Sequence, residues 1–215
     1  MSINNKGDIK MTENITVDMT NLNKEEREQL LALITKSTSK WKMPNNLKPG
    51  DVFKDIDGDE WIYLFCETET GDACILKKES LKKMKFGNDN NYNGSDIDKY
   101  LCNTYLPELE RKFGKDNIVE HEVDLLSLDG EDDYGVIKRK VSIPTLDMYR
   151  YNKKAIKKYI DSWFWLATPN STPSGYGSDF VRCVGTYGGV SYDWYGSGRG
   201  AVRPCLFLNG NMFKE

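Results

Sequence analysis

The chain has 215 residues, of which 39% are hydrophobic and 12% aromatic, and a formal net charge of -3. That is enough for one domain with an appendage, or two small domains. A charge so close to neutral gives no electrostatic footprint for nucleic acid or an anionic membrane, so neither is an expected partner. The local clusters Lys77-Lys78 and Lys82-Lys83 read as solvated surface. Met1 to Lys10 is polar, without the apolar core of a signal peptide, and no run approaches the length of a membrane-spanning helix. The expectation is a soluble protein made in the cytoplasm and not Sec-exported. Cys66, Cys74, Cys102, Cys183 and Cys205 form no C-x-x-C pair and read as reduced, mostly buried thiols.

In chain order, residues 1–22 are polar and expected to be loosely ordered. Asn23 to Ile34 follows, with Asn23 as N-cap and Glu26 placed for a capping box. Leu30, Leu31, Leu33 and Ile34 give this helix (residues 23–40) one apolar stripe. Such a stripe needs cover, either from the rest of the chain or from a second copy meeting it along Asn23 to Lys36. Residues 41–50, with Pro44 and Pro49, read as a linker, and residues 51–215 as the main domain. There the period changes to two. Val52 to Ile56, Trp61 to Cys66 and Ala73 to Leu76 predict a β-meander, its first turn at Asp57-Gly58.

An Asn/Gly/Asp loop at 87–96 leads to Ser95, which caps a helix presenting Ile97, Tyr100, Leu101 and Tyr105 on one face. Pro107 restarts a helical turn that Gly114 closes. A short strand is expected near Val119 to Leu126, an acidic turn at Gly130 to Gly135, and a helix over Leu146 to Tyr151 capped by Thr145. The closing region predicts strands at Trp163 to Ala167, Phe180 to Val184, Val190 to Tyr195 and Val202 to Leu208. Pro204, which cannot donate to a ladder, is expected at an edge or bulge of the last. Strands at both ends with helices between them define an α+β domain whose first and last strands are placed to pair.

Between the last strands lies a segment, Ser174 to Gly200, built mostly of glycine, tyrosine and serine. Tyrosine supplies contact area at low entropic cost and glycine and serine let a loop adapt, a composition typical of binding loops. On Val190 to Tyr195, alternation puts Val190, Tyr192 and Trp194 on one face and Ser191, Asp193 and Tyr195 on the other. The candidate ligand-binding residues are Tyr176, Asp179, Tyr187, Tyr192, Asp193, Trp194, Tyr195 and Arg199. The expected surface centres on Tyr187, Asp193 and Tyr195, with Tyr176, Asp179 and Arg199 beside them. The plain alternative is a glycine-rich turn region with ordinary aromatic packing.

An ordered set of motifs carries a resemblance. It runs Leu125-Leu126-Ser127, Pro144 to Tyr149, Trp163-Phe164-Trp165-Leu166-Ala167-Thr168-Pro169, Gly188-Gly189-Val190 and Val202-Arg203-Pro204-Cys205-Leu206. This resembles a domain family of unknown function found in Firmicute bacteria and their phages, over about residues 50 to 210. The chain departs from it at Ala167-Thr168-Pro169, where many members carry Arg-Ser-Pro, and in spreading the Trp-Trp pair. The resemblance implies a C-type lectin-like fold, as in the variable proteins of diversity-generating retroelements, and a phage or prophage origin. It further implies a non-catalytic module binding a protein or glycan, or a phage effector that inhibits a host defence protein inside the cell.

Other constellations read as structural. Arg182 and Arg203 lie in strand runs and, if buried, need a carboxylate or several carbonyls. Asp89-x-Asn91-x-Asn93-Gly94 begins a calcium-loop pattern, but Tyr100 stands where the bidentate Glu belongs, so a helix-capping loop is expected. Asp55 to Asp59 reads as a hairpin turn. His121, between Glu120 and Glu122, is expected on the surface. Cys183 and Cys205 raise the alternative of a formylglycine-generating-like oxidative enzyme. No metal or cofactor is expected.

Overall fold

The computed structural model describes residues 2–3, 9–10, 16–17, 22–30, 44 and 46–213. It divides into two units, Met1–Lys40 and Trp41–Glu215. In the first, β1 (Ser2–Ile3), β2 (Ile9–Lys10) and β3 (Thr16–Val17) form an antiparallel ladder in that order. Residues 24–30 are helical (α1). The capping box forms as expected. Asn23 Oδ1 accepts from the Glu26 N–H, and Glu26 Oε2 accepts from the Asn23 N–H, both at 2.9 Å. The rest of the apolar stripe, Leu31, Leu33 and Ile34, lies outside the described residues.

The second unit is α+β. The expected meander is β4 (Val52–Lys54), β5 (Glu60–Cys66) and β6 (Ala73–Lys77). Short strands follow at β7 (Lys82–Lys83), β8 (Ile118–Val119), β9 (His121–Asp124), β10 (Val136–Arg139) and β11 (Val141–Ser142). The C-terminal strands are β12 (Phe164–Pro169), β13 (Phe180–Val184), β14 (Val190–Trp194), β15 (Ala201–Val202) and β16 (Cys205–Leu208). One sheet has the order β11-β16-β6-β5-β4, with β8 also on β16. A second has the order β14-β13-β12-β15-β7, and β9 and β10 form a separate hairpin. The last strand therefore joins the sheet of the first without pairing with it. The meander puts β4 on the outer side of β5, and β16 takes the free side of β6.

The run Val202 to Leu208, expected as one strand, is two. β15 runs parallel to β12 through Phe164 and Ala201, while β16 lies antiparallel to β6 in the other sheet. Arg203-Pro204 is where the chain changes sheets. Proline has no N–H to give a ladder, and here its carbonyl accepts from the Lys77 N–H at 2.9 Å.

Helices cover both faces of the strands. From Asp96 to Phe113 the chain is helical throughout: α2 (Asp96–Tyr100), a π-turn (Leu101–Tyr105) and α3 (Leu106–Phe113). Pro107 explains the wide turn, because its ring cannot sit against the carbonyl four residues back. Ser95 caps the start, accepting from the Asp98 N–H at 3.1 Å, and Gly114 ends the helix at φ 89°. α4 (Leu146–Lys157) is capped by Thr145 and broken at Asn152 (φ -107°, ψ 15°), where the expected helix was to stop. Alternate residues along the central strands feed two clusters. Trp61, Ile75, Trp165 and Leu206 pack with Ile97, Leu101 and Leu109 of the first helical run. Ile62, Leu76, Phe164 and Cys205 pack with Tyr149 and Ile156 of α4. Among the described residues no helix is long and apolar enough to cross a membrane.

Candidate functional site

β13 and β14 form a hairpin whose register is Phe180↔Trp194, Val181↔Asp193, Arg182↔Tyr192, Cys183↔Ser191 and Val184↔Val190. The turn is Thr186-Tyr187-Gly188. The Gly185 N–H donates to the Gly189 carbonyl, the Gly188 N–H donates to the Gly185 carbonyl, and Gly188 takes φ 77°. This is a three-residue loop closed by a left-handed glycine.

Directly opposed residues share a face. Val181 and Cys183 point into the first core cluster. On the other face Val184 and Val190 reach the α4 cluster, but farther from the turn that cover ends. There Phe180 (41% exposed), Tyr192 (55%) and Trp194 (49%) stand in the open. The Phe180 and Tyr192 rings meet edge-on at 5.3 Å, and the Arg182 guanidinium carbon lies 5.7 Å from the Tyr192 ring centre. The Trp194 ring lies over Gly196, where an added Cβ would come within 2.4 Å of it.

Arg182 itself is 9% exposed. Its Nη1 donates to Asn170 Oδ1 at 2.9 Å, and among the described residues its buried Nε has no partner. Among the described residues no carboxylate forms an ion pair with it. Burial, with the like charge of Arg150, lowers its pKa. A nearly buried cation without a counter-ion therefore underlies an exposed aromatic patch.

The eight candidate residues separate in space along the strands. Tyr192 and Trp194 belong to the patch. Tyr187 (91% exposed) sits at the hairpin tip, beyond Val184 and Val190, and the Phe180–Trp194 pair is four residues from those valines, about 14 Å along the strands. Tyr176 (95% exposed) is in the loop before β13, whose Ser171 accepts from its N–H at 2.7 Å. Asp179 is exposed and its carbonyl accepts from the Tyr195 N–H. Arg199 is exposed in the 196–200 turn. Tyr195, read as part of the outward face, is half-buried against the core instead. Asp193 is half-buried too, its Oδ1 accepting from the Trp194 N–H at 2.8 Å. The outward face is thus that of Tyr192 and Trp194 and not that of Asp193 and Tyr195. Phe180 and Arg182 join it, and sequence reasoning did not include them in the surface.

His121 is buried, not exposed as expected. Its ring lies 4.7 Å from that of Phe207, and Nε2 is 2.9 Å from Ser142 Oγ. Ser142 Oγ lies in turn 3.4 Å from Cys205 Sγ. Burial pushes His121 down to about 4 and Cys205 up to about 12. Near pH 7 both are neutral, so this line lacks the thiolate and imidazolium of an activated cysteine. Cys183 is likewise pushed up by burial, to about 11, and lies in the other sheet. Among the described residues no group of three or more His, Cys, Asp or Glu could hold a metal. In the 89–94 loop Asp89 accepts from the Asn91 N–H and Asn91 from the Asn93 N–H, while Asn90 donates to the Ser171 and Phe180 carbonyls and Asn93 Oδ1 accepts from Arg139.

The described residues also form two depressions away from the hairpin. One of about 330 Å³ lies between the 124–130 turn and the start of α4, where Arg150 pairs with Asp147 at 3.0 Å. The other, about 370 Å³, lies beside His121 among Glu67, Glu120, Glu122 and Lys138. Comparison with family models, with curated proteins and with solved structures gives no match to this chain.

Proposed function

We propose that this chain is a ligand-binding module without chemistry of its own, and that its recognition surface is the aromatic face of β13 and β14. The observation that carries this reading is the grouping of Phe180, Tyr192 and Trp194, each 41% exposed or more, on one face of one hairpin. Isolated exposed apolar residues are ordinary; three exposed aromatic side chains on one face of one hairpin, with an arginine beside them, have the Trp, Tyr and Arg enrichment of binding hot spots. A C-type lectin-like layout, of phage or prophage origin, fits this reading. The first and last strands of the second unit share a sheet, helices flank the strands, and the hairpin belongs to a separate sheet reached through loops.

The test is a set of single alanine variants at Phe180, Tyr192 and Trp194, screened against bacterial lysate proteins and a glycan array. A ligand that binds the natural chain and loses tenfold or more in affinity with these variants, at unchanged melting temperature, supports the surface. Full binding by all three variants places the surface elsewhere.

A further inference from the structure

Among the described residues β14 is the outer strand of its sheet, with β13 as its one strand partner. In an antiparallel pair, opposed residues alternate between exchanging backbone hydrogen bonds and pointing those groups away. The hairpin fixes the phase at both ends. Gly185 and Gly189 are bonded at the turn, and the Tyr195 N–H donates to the Asp179 carbonyl at the open end. Stepping between them, Ser191 and Asp193 face β13, while the N–H and C=O of Val190, Tyr192 and Trp194 point outward. The groups of Trp194 are engaged locally, its N–H by Asp193 Oδ1 and its carbonyl by the Ser197 N–H at 2.9 Å. Those of Val190 and Tyr192 have no bonded partner among the described residues.

The two edges of this sheet differ. At the far edge, β7 presents two exposed lysines, and Lys82 Nζ sits 3.4 Å from the Tyr100 ring centre. Lysine on an edge is a common guard against a further strand. β14 has no lysine and carries the aromatic patch alongside its open backbone groups. An edge donor and acceptor on alternate residues, with apolar contacts on one face, match a polypeptide in extended conformation. Arg182, on that face and without a counter-ion among the described residues, is complementary to a carboxylate.

Resting on the binding-module reading above, we propose that the ligand is an extended acidic peptide segment of another protein, which adds to β14 as a strand. Its backbone pairs with Val190 and Tyr192. An apolar side chain lies on the Phe180–Trp194 end, and an Asp or Glu reaches Arg182.

The experiment selects random displayed dodecapeptides on the immobilised natural chain, then titrates the synthesised winners. Three results are expected. First, the winners carry Asp or Glu, and their preference over the Asn or Gln versions disappears with Arg182→Gln. Second, N-methylation at alternate peptide amides in one phase weakens binding about tenfold or more, and in the other phase does not. Third, Tyr192→Pro binds about tenfold more weakly than Tyr192→Ala. Both lack the ring, but only proline lacks the outward N–H, and that N–H is not used by the β13 ladder.

Peptides that bind without the alternating N-methyl pattern overturn strand addition, even if Tyr192→Pro fails to fold, and leave the module reading intact. Glycan ligands lost with Trp194→Ala, with no peptide selected, overturn the peptide but keep the module. Absence of both kinds of ligand overturns both.

Discussion

Lys112 Nζ lies 3.2 Å from Asp55 Oδ2, and both side chains are at most 1% exposed. The same ammonium meets Glu108 at 3.2 Å and also pairs with Asp59. Asp55 in turn accepts from the Asp57 and Asp59 N–H groups and from Trp61 Nε1. A lysine from α3 thus stands in the middle of the acidic β4–β5 turn. Burial works to lower its pKa, but Asp59, Asp55 and Glu108 outweigh burial and raise it.

Removing one partner of such a set leaves buried charge uncompensated, which costs about 3–5 kcal/mol. Lys112→Met is therefore expected to lower stability by about that much in urea unfolding. Adding Asp55→Asn to Lys112→Met should recover part of the loss. A double variant no more stable than the single one would show that the carboxylate is not the source of the penalty.

His121 makes stability depend on pH. Its folded pKa, about 4, lies below the ordinary value of 6.5, so the folded state prefers the neutral ring. The stability this confers is present in full above about pH 6.5 and is lost progressively as pH falls towards 4. Between those limits the slope is about 1.4 kcal/mol per pH unit. The melting temperature of the natural chain should fall from pH 6.5 to 4.5, and His121→Gln should flatten that fall. Glu67, Glu120, Glu122 and Lys138 line the adjoining depression and stay in both proteins, so the difference between the two curves isolates the imidazole. Parallel curves would remove His121 as the cause.

The hairpin shows how far the sequence could be read. Both strands and their turn were legible, because Phe180 to Val184 and Val190 to Trp194 are apolar runs around Gly188-Gly189. The register was not. Strands closing on all of Thr186 to Gly189 would set Tyr192 opposite Cys183. The three-residue loop, with Gly189 paired to Gly185, sets it opposite Arg182. A slip of one residue exchanges the faces, and with them the residues that make a surface. Phe180, read only as the start of a strand, and Arg182, read as structural, stand on the exposed face with Tyr192.

Elsewhere the local signals were reliable where their partners were local, as with Asn23 and Glu26, Ser95 and Thr145. They failed where the partner was distant. Nothing near His121 in sequence announces Phe207 or Ser142. β7, β8 and β11 are two residues each, held by β15 and β16 from far along the chain. The period of two expected of the meander does not appear as in-and-out burial at β6, whose five residues are all buried because both faces of the sheet are covered.

Arg203 meets part of the requirement its sequence posed for a buried arginine, through two carbonyls, while its buried Nη1 has no partner among the described residues. Nε donates to the Lys77 carbonyl at 2.8 Å and Nη2 to that of Lys78 at 2.6 Å, and its pKa is pushed down by burial to about 10. It is fully buried and ties the sheet change at Arg203-Pro204 to the end of β6. Arg203→Lys keeps a charge but cannot span both carbonyls. It should destabilise by about 2–3 kcal/mol in denaturant unfolding. Arg203→Met, which buries no charge, should cost less than Arg203→Lys if the burden is the ion and more if the two hydrogen bonds dominate.

Gly200 sits where the aromatic turn returns to the framework. A Cβ there would lie 2.2 Å from Trp165 Nε1, which donates to the Met84 carbonyl at 3.0 Å. Trp165 is fully buried and packs against Phe86 and Trp163, so it has no room to retreat. Gly200→Ala should therefore push the indole off its hydrogen bond and cost about 1–3 kcal/mol by overpacking. The change should appear as altered tryptophan fluorescence together with a lower melting temperature. Gly198→Ala, two residues away with nothing within 4 Å of its Cβ, should leave both unchanged. Equal effects at the two positions would mean that turn flexibility, and not contact with Trp165, is what the glycines supply.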